Sequence, residues 1–304
     1  MEDVLVKIIG FIVIIALGYL ARSGGLLKRS DATVLGAIVM NVTLPCSLVS
    51  GMNGNELDPS IGIAFVLGTV SSIVLIAVGY LRARRFDMRT RVLEMINTGG
   101  YNMGNFAIPF VSSFFPGSVL PYLCLFDAGG AVMTLGGTFS VARGLLTPGS
   151  RFSMRSFLKI LFSSIAFDTY VVLIVLCALR ITLPAPVVTV TGMVGSANAF
   201  LAMFMVGVML DLHFDHAVMG SIVRILTTRY AVTGAIAVLS YIFLPFPLVA
   251  RQAIAMALMS PLANMDAIYS VQLDLDDRVP AIAMTMTILI STAIMSGLAL
   301  FFLG

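Results

Sequence analysis

Charge is what this sequence has least of. Only 11% of its 304 residues are Asp, Glu, Lys or Arg, against about 25% in average soluble domains. With 59% hydrophobic residues and a mean hydropathy of +1.03, a soluble fold of this length could not hide its apolar surface. Cysteine is scarce too. Cys46, Cys124 and Cys177 are odd in number and sit inside apolar runs, which argues against a disulfide framework and reads as small packing residues. The chain lacks a P-loop, an HExxH and a GxSxG sequence, so neither ATP hydrolysis nor intramembrane catalysis has a foothold. Asp211, His213, Asp215 and His216 are ligand-type residues, but their spacing matches no standard metal pattern, and no cofactor or metal is expected. What remains is an all-α polytopic membrane protein.

Hydropathy predicts ten spans of membrane-crossing length, at 4–20, 34–52, 61–81, 92–115, 119–142, 157–179, 186–210, 229–245, 250–271 and 279–303. The run 4–20 resembles a signal peptide, but Glu2 and Asp3 stand where a basic region belongs, so it is read as a span. Segment 214–228 is mixed and reads as an amphipathic interfacial piece. Basic residues collect in alternate loops: Arg22, Lys28 and Arg29; Arg82, Arg84, Arg85, Arg89 and Arg91; Arg143, Arg151, Arg155 and Lys159; Arg224 and Arg229. By the positive-inside rule these loops are cytoplasmic, which puts both termini outside the cell membrane. Five spans is an odd number, so two such units in tandem must be inverted. The predicted organisation is a first repeat at 1–147, a cytoplasmic connector at 148–154 and a second repeat at 155–304.

The fourth and ninth spans are interrupted by residues that hydrocarbon disfavours. The fourth contains Gly99, Gly100, Asn102, Gly104, Asn105 and Pro109, and the ninth Ser260, Pro261 and Asn264. Matched broken helices in two halves point to a transporter's binding site, because unwound backbone survives at depth only when buried in protein or lining a cavity. The first break is expected around Asn105–Pro109, where the ring removes a donor. The second is expected at Ser260 as N-cap with Pro261 at the first helical position. Each exposes a half-helix N-terminus, and with the amides of Asn102, Asn105 and Asn264 these would suit a carboxylate. The plainer reading of each proline is a bend. Asn41, in Asn41-Val-Thr-Leu-Pro45, fits a glycosylation pattern but lies within a span, so it is taken as packing or lining the cavity. Gly195–Ala199 in span seven is rich in small residues, which suits tight packing.

Asp127, Asp168 and Asp266 fall inside spans, with no Lys, Arg or His expected comparably deep. Intramembrane carboxylates default to functional roles. A buried one without a cationic partner favours its neutral form, which suits proton carriage; a hydrogen-bonded structural acid is the alternative. Asp168 is expected nearest the middle of its helix, and Asp266, close to the second break, is favoured for function.

At these residues the chain resembles the auxin efflux carrier family, which includes plant PIN-FORMED carriers and bacterial malonate or malate transporter relatives. The matching elements are Leu17-Gly18-Tyr19-Leu20, Asn41 to Pro45, Asn102 to Pro109, Phe126-Asp127-Ala-Gly129 and Ser260-Pro261. The resemblance implies a scaffold and a mobile transport bundle, with helices four and nine crossing at their prolines, similar to sodium–bile acid symporters. The family's crossover asparagine and proline carry over to Asn105 and Pro109, and its second proline to Pro261. Phe200, where relatives often carry proline, and Asp266 depart from the pattern. An extra carboxylate disfavours a second negative charge nearby unless it is protonated or cation-bound. The expected partners are a small organic anion, the lipid bilayer and a second copy of the chain, with no nucleic acid. Coupling to protons or to sodium stays open, with Asp266 and freed carbonyls as the sodium ligands. A membrane sensor with the same fold is a further alternative, although it would need an appended signalling domain.

Overall fold

The structure is a computed structural model that describes residues 1–147, 154–212 and 215–304. In chain order its helices are α1 Glu2–Ser23, α2 Asp31–Met52, α3 Pro59–Arg82, α4 Met88–Thr98, α5 103–112, α6 Gly117–Leu146, α7 Met154–Leu161, α8 Ile165–Ala178, α9 Ala185–Met209, α10 His216–Phe243, α11 Leu248–Ala257, α12 Asn264–Gln272 and α13 Arg278–Leu303. No strand occurs among the described residues. Hydrocarbon offers backbone groups no partner, so an apolar chain of this kind satisfies them within helices. Among the described residues seven helices, α1, α2, α3, α6, α9, α10 and α13, are long and apolar enough to cross a membrane. The rest form three pairs, α4 with α5, α7 with α8 and α11 with α12, each separated by a short non-helical link.

Local chemistry sets several boundaries. Glu2 and Asp3 open α1 and Arg22 closes it, each matched to the helix dipole. Asp87 caps α4 by accepting from the Thr90 amide and hydroxyl, and these bonds hold its carboxyl below the usual range. Ser164 caps α8 by accepting from the Phe167 amide.

The loops gather at two ends. At one, Asn55 donates to the Gly117 carbonyl, Asn53 accepts from the Leu183 amide and Ser60 donates to the Pro245 carbonyl. At the other, Arg29 pairs with Asp211, Arg89 with Asp274, and Arg278 with Asp215 and Asp276. Glycine brings helix backbones into contact at several places. A Cβ on Gly207 would strike the Ile15 carbonyl and one on Gly18 the Phe204 carbonyl, locking α1 to α9; Gly68 and Gly129 interlock α3 and α6 in the same way. Gly195 packs on the backbone of Cys46 and Ser47, in keeping with the small residues around it.

Three sequence expectations are corrected. The eighth span does not begin at Arg229. Its helix starts at His216 and places Arg229 well inside, fully buried. Asp168 is not near the middle of its helix: the Ser164 cap starts α8 at Ile165, so Asp168 falls in the first turn, where the dipole favours a negative charge. Asn41 is exposed, and the polar contact of its motif comes from Thr43, which donates to Asn198 at 2.9 Å. Most of the 148–154 connector and His213 lie outside the described residues.

Candidate functional site

The break in the fourth span lies earlier than expected. Gly99 is extended, Gly100 adopts a positive φ of 63° and Asn102 ends the unwound stretch. Helix then resumes at Met103 with a π turn, Met103–Ala107. Pro109 sits just beyond that turn, inside α5. The wide turn accommodates the missing donor of the proline, so Pro109 follows the break rather than making it.

The second break is also displaced. Ser260 and Pro261 are non-helical; the N-cap of α12 is Ala263 and its first residue Asn264. The Ser260 hydroxyl is buried and forms no capping bond. Tertiary contacts override the local Ser-Pro preference here, because the backbone of both residues is engaged elsewhere. The Asn102 amide donates to the Pro261 carbonyl at 3.0 Å, and Arg229 donates to the carbonyls of Ser260 and Pro261 at 2.8 and 3.0 Å.

Arg229 also reaches the first break. Its other terminal nitrogen donates to the carbonyls of Thr98, Gly99 and Gly100 at 3.1, 2.8 and 2.7 Å. Its guanidinium lies 5.3 Å from the centre of the Tyr101 ring. A buried cation therefore exists at depth, contrary to the sequence reading. Asp266 is buried beside Gly100, close enough that a Cβ there would come within 3.0 Å of its carboxylate. Among the described residues the two charges form no direct ion pair, and Asp266 Oδ2 has no hydrogen-bond partner.

On the other side of the crossing, α5 and α12 present their N-termini. Asn102 Nδ2 donates to Asn264 Oδ1 at 3.2 Å. They border a cavity of about 210 Å³ that is also lined by Asn105, Asp127 and Tyr170. Tyr170 donates its hydroxyl to Asp127 at 2.8 Å. A second cavity, of about 490 Å³, reaches from Arg29 and Thr33 past Met40 to the same Asn105 and Asn264. The structure thus brings Asn102, Asn105, Asn264 and Asp127 together. Asn41, Pro109, Ser260, Pro261, Asp168 and Asp266 line neither cavity.

Sequence reasoning missed Arg229, and also Glu94. The latter accepts from Arg224 Nε at 2.9 Å and from its terminal nitrogen, tying α4 to α10. Among the described residues no cluster of His, Cys, Asp or Glu could hold a metal ion. Residues 3–139 match the model of a family described as membrane transport protein, the auxin efflux carrier family that the motifs resemble. No curated protein matches the chain significantly.

Proposed function

We propose that this multi-pass member of a membrane transporter family is a secondary carrier for a small organic anion, a mono- or dicarboxylate. It binds its cargo where the fourth and ninth spans cross and works by elevator-type alternating access. The observation that carries this reading is the pair of half-helix N-termini, at Met103 and Asn264, facing one cavity lined with asparagine side chains. Helix N-termini and amide donors favour an anion. The volume of about 210 Å³ is below the roughly 300–1,000 Å³ of pockets for drug-sized ligands, which suits a small metabolite.

Ten spans follow if each helix pair counts as one crossing. The seven long helices then alternate with split spans in the fourth, sixth and ninth positions. Matched breaks in the fourth and ninth support two inverted repeats, at 1–147 and 155–304. Basic loops at the Arg29 end favour a cytoplasmic placement for that end, so the path past Arg29 leads inward and both termini lie outside the cell membrane. Asp127 is the carboxylate on the cavity, and a proton on it would remove its repulsion of the cargo. We therefore assign proton coupling to Asp127 ahead of Asp168 and Asp266. Nothing in the described residues favours the sensor reading.

The test is uptake of radiolabelled organic acids into proteoliposomes under imposed proton or sodium gradients. Saturable accumulation of a carboxylate driven by protons is expected. Failure of every mono- and dicarboxylate tried, with an organic cation or a neutral solute accumulating instead, would sink the proposal.

A further inference from the structure

The four half-helix ends at the crossing are not treated alike. The two N-termini, of α5 and α12, face the cavity. The freed carbonyls that follow the two C-terminal ends, of α4 and α11, line no part of it, and Arg229 donates to both sets. Five carbonyls, of Thr98, Gly99, Gly100, Ser260 and Pro261, converge on one guanidinium. Freed carbonyls at depth, with a carboxylate such as Asp266 alongside, are the donor set that a bound alkali cation would take.

We propose that Arg229 is a built-in cation: it occupies the place a coupling sodium ion would fill, pins the two broken helices together and leaves the positive N-termini free to act on an anionic cargo. Without it, two helix C-termini would set partial negative charge of about half a unit each beside the N-termini and cancel much of their field. The cost of placing an arginine at this depth is met by charge-assisted bonds to the carbonyls. A planar fork can serve two separate strands of carbonyls at once, whereas a lysine ammonium could not span both. The consequence is a carrier indifferent to sodium. That consequence rests on the carrier reading, but the donor geometry does not.

The test therefore needs no cargo. Thermal unfolding of the purified protein in detergent is followed in choline chloride, sodium chloride and low-millimolar guanidinium chloride. The unaltered protein should have the same Tm in choline and sodium. Arg229→Ala should lower Tm, and guanidinium should raise it again saturably, an effect absent from the parent. Arg229→Lys should be lowered too and should gain little from guanidinium, because its chain still fills the space. A saturable, sodium-specific rise in the parent's Tm would overturn the proposal, and that measurement stands even if the variants cannot be purified. So would an Arg229→Ala protein that folds but gains nothing from guanidinium, since an arginine acting only as bulk would not be replaced by its head group.

Discussion

The Asn102 amide donates to the Pro261 carbonyl at 3.0 Å, joining the two interrupted spans backbone to backbone. A second bond lies beside it between the Asn102 and Asn264 side chains. Neither span can be shifted along its axis without breaking both, so the two N-termini keep a fixed separation. A site built from both ends therefore comes preassembled, which reduces the ordering cost of binding.

Cargo affinity should fall when either free amide is removed. Losing a hydrogen bond to a charged group costs about 1.5–3 kcal/mol, or roughly ten- to a hundred-fold in Kd. Asn105→Ala and Asn264→Ala should each weaken binding by that much in a scintillation proximity assay. Asn41→Ala is the control, since its side chain is exposed and outside both cavities. Binding by both variants within twofold of the parent would remove the crossing as the site.

Coupling should reside at Asp127. Asp127→Asn cannot release a proton, and in proteoliposomes it should exchange cargo between the two sides while losing accumulation driven by a proton gradient. Tyr170→Phe removes the hydroxyl that donates to it and should shift the pH at which accumulation is half-maximal. Asp168→Asn should accumulate like the parent. The assignment fails if Asp127→Asn accumulates normally.

The Arg224–Glu94 pair should matter to stability unequally. Glu94 is buried, whereas Arg224 keeps about a quarter of its side chain exposed. Arg224→Ala strands a carboxylate and should cost about 3 kcal/mol, the low end for breaking a buried pair. Glu94→Gln keeps an acceptor for the guanidinium and should cost less. Chemical denaturation in mixed micelles measures both, and equal losses would contradict the argument.

The orientation can be read by labelling. Single cysteines at Arg84 and Asn55, in a background with the native cysteines replaced, should differ in intact cells. An impermeant maleimide should label the Asn55 position and leave the Arg84 position untouched. The reverse pattern would invert the topology and the direction of the cavities with it.

The interruptions were legible because glycine pairs and Ser-Pro are rare in apolar runs, and their neighbours Asn102, Asn105 and Asn264 do line the cavity. Their register was not legible. Local rules place the breaks at the prolines, whereas the contacts of Arg229, far away in sequence, hold the unwound backbone at Gly99–Asn102 and before Asn264. Arg229 itself was obscured because hydropathy moves a span's edge to exclude a charge. A clue was present in Ile222, Val223, Ile225 and Leu226, an apolar stretch on its far side. Asp168 was misplaced for the opposite reason: Ser163 and Ser164 are helix-start residues inside an otherwise apolar run, and Ser164 shortens the helix from its front.

The glycine contacts between α1 and α9, and between α3 and α6, act as keyways. With carbonyl against Cα at Gly18, Gly207, Gly68 and Gly129, no side chain is available to flex, and sliding would drive backbone into backbone. Replacing Gly207 by Ala should cost about 1–3 kcal/mol, as overpacking does. A change of access must therefore shear elsewhere, along faces where something soft intervenes. Such a face is present between α2 and α5: the thioether of Met40 lies against Gly104, and Met103 and Met265 line the same cavity. Unbranched methionine re-packs at little expense, so the proposed alternating access would shear along this seam and leave the interlocked pairs intact.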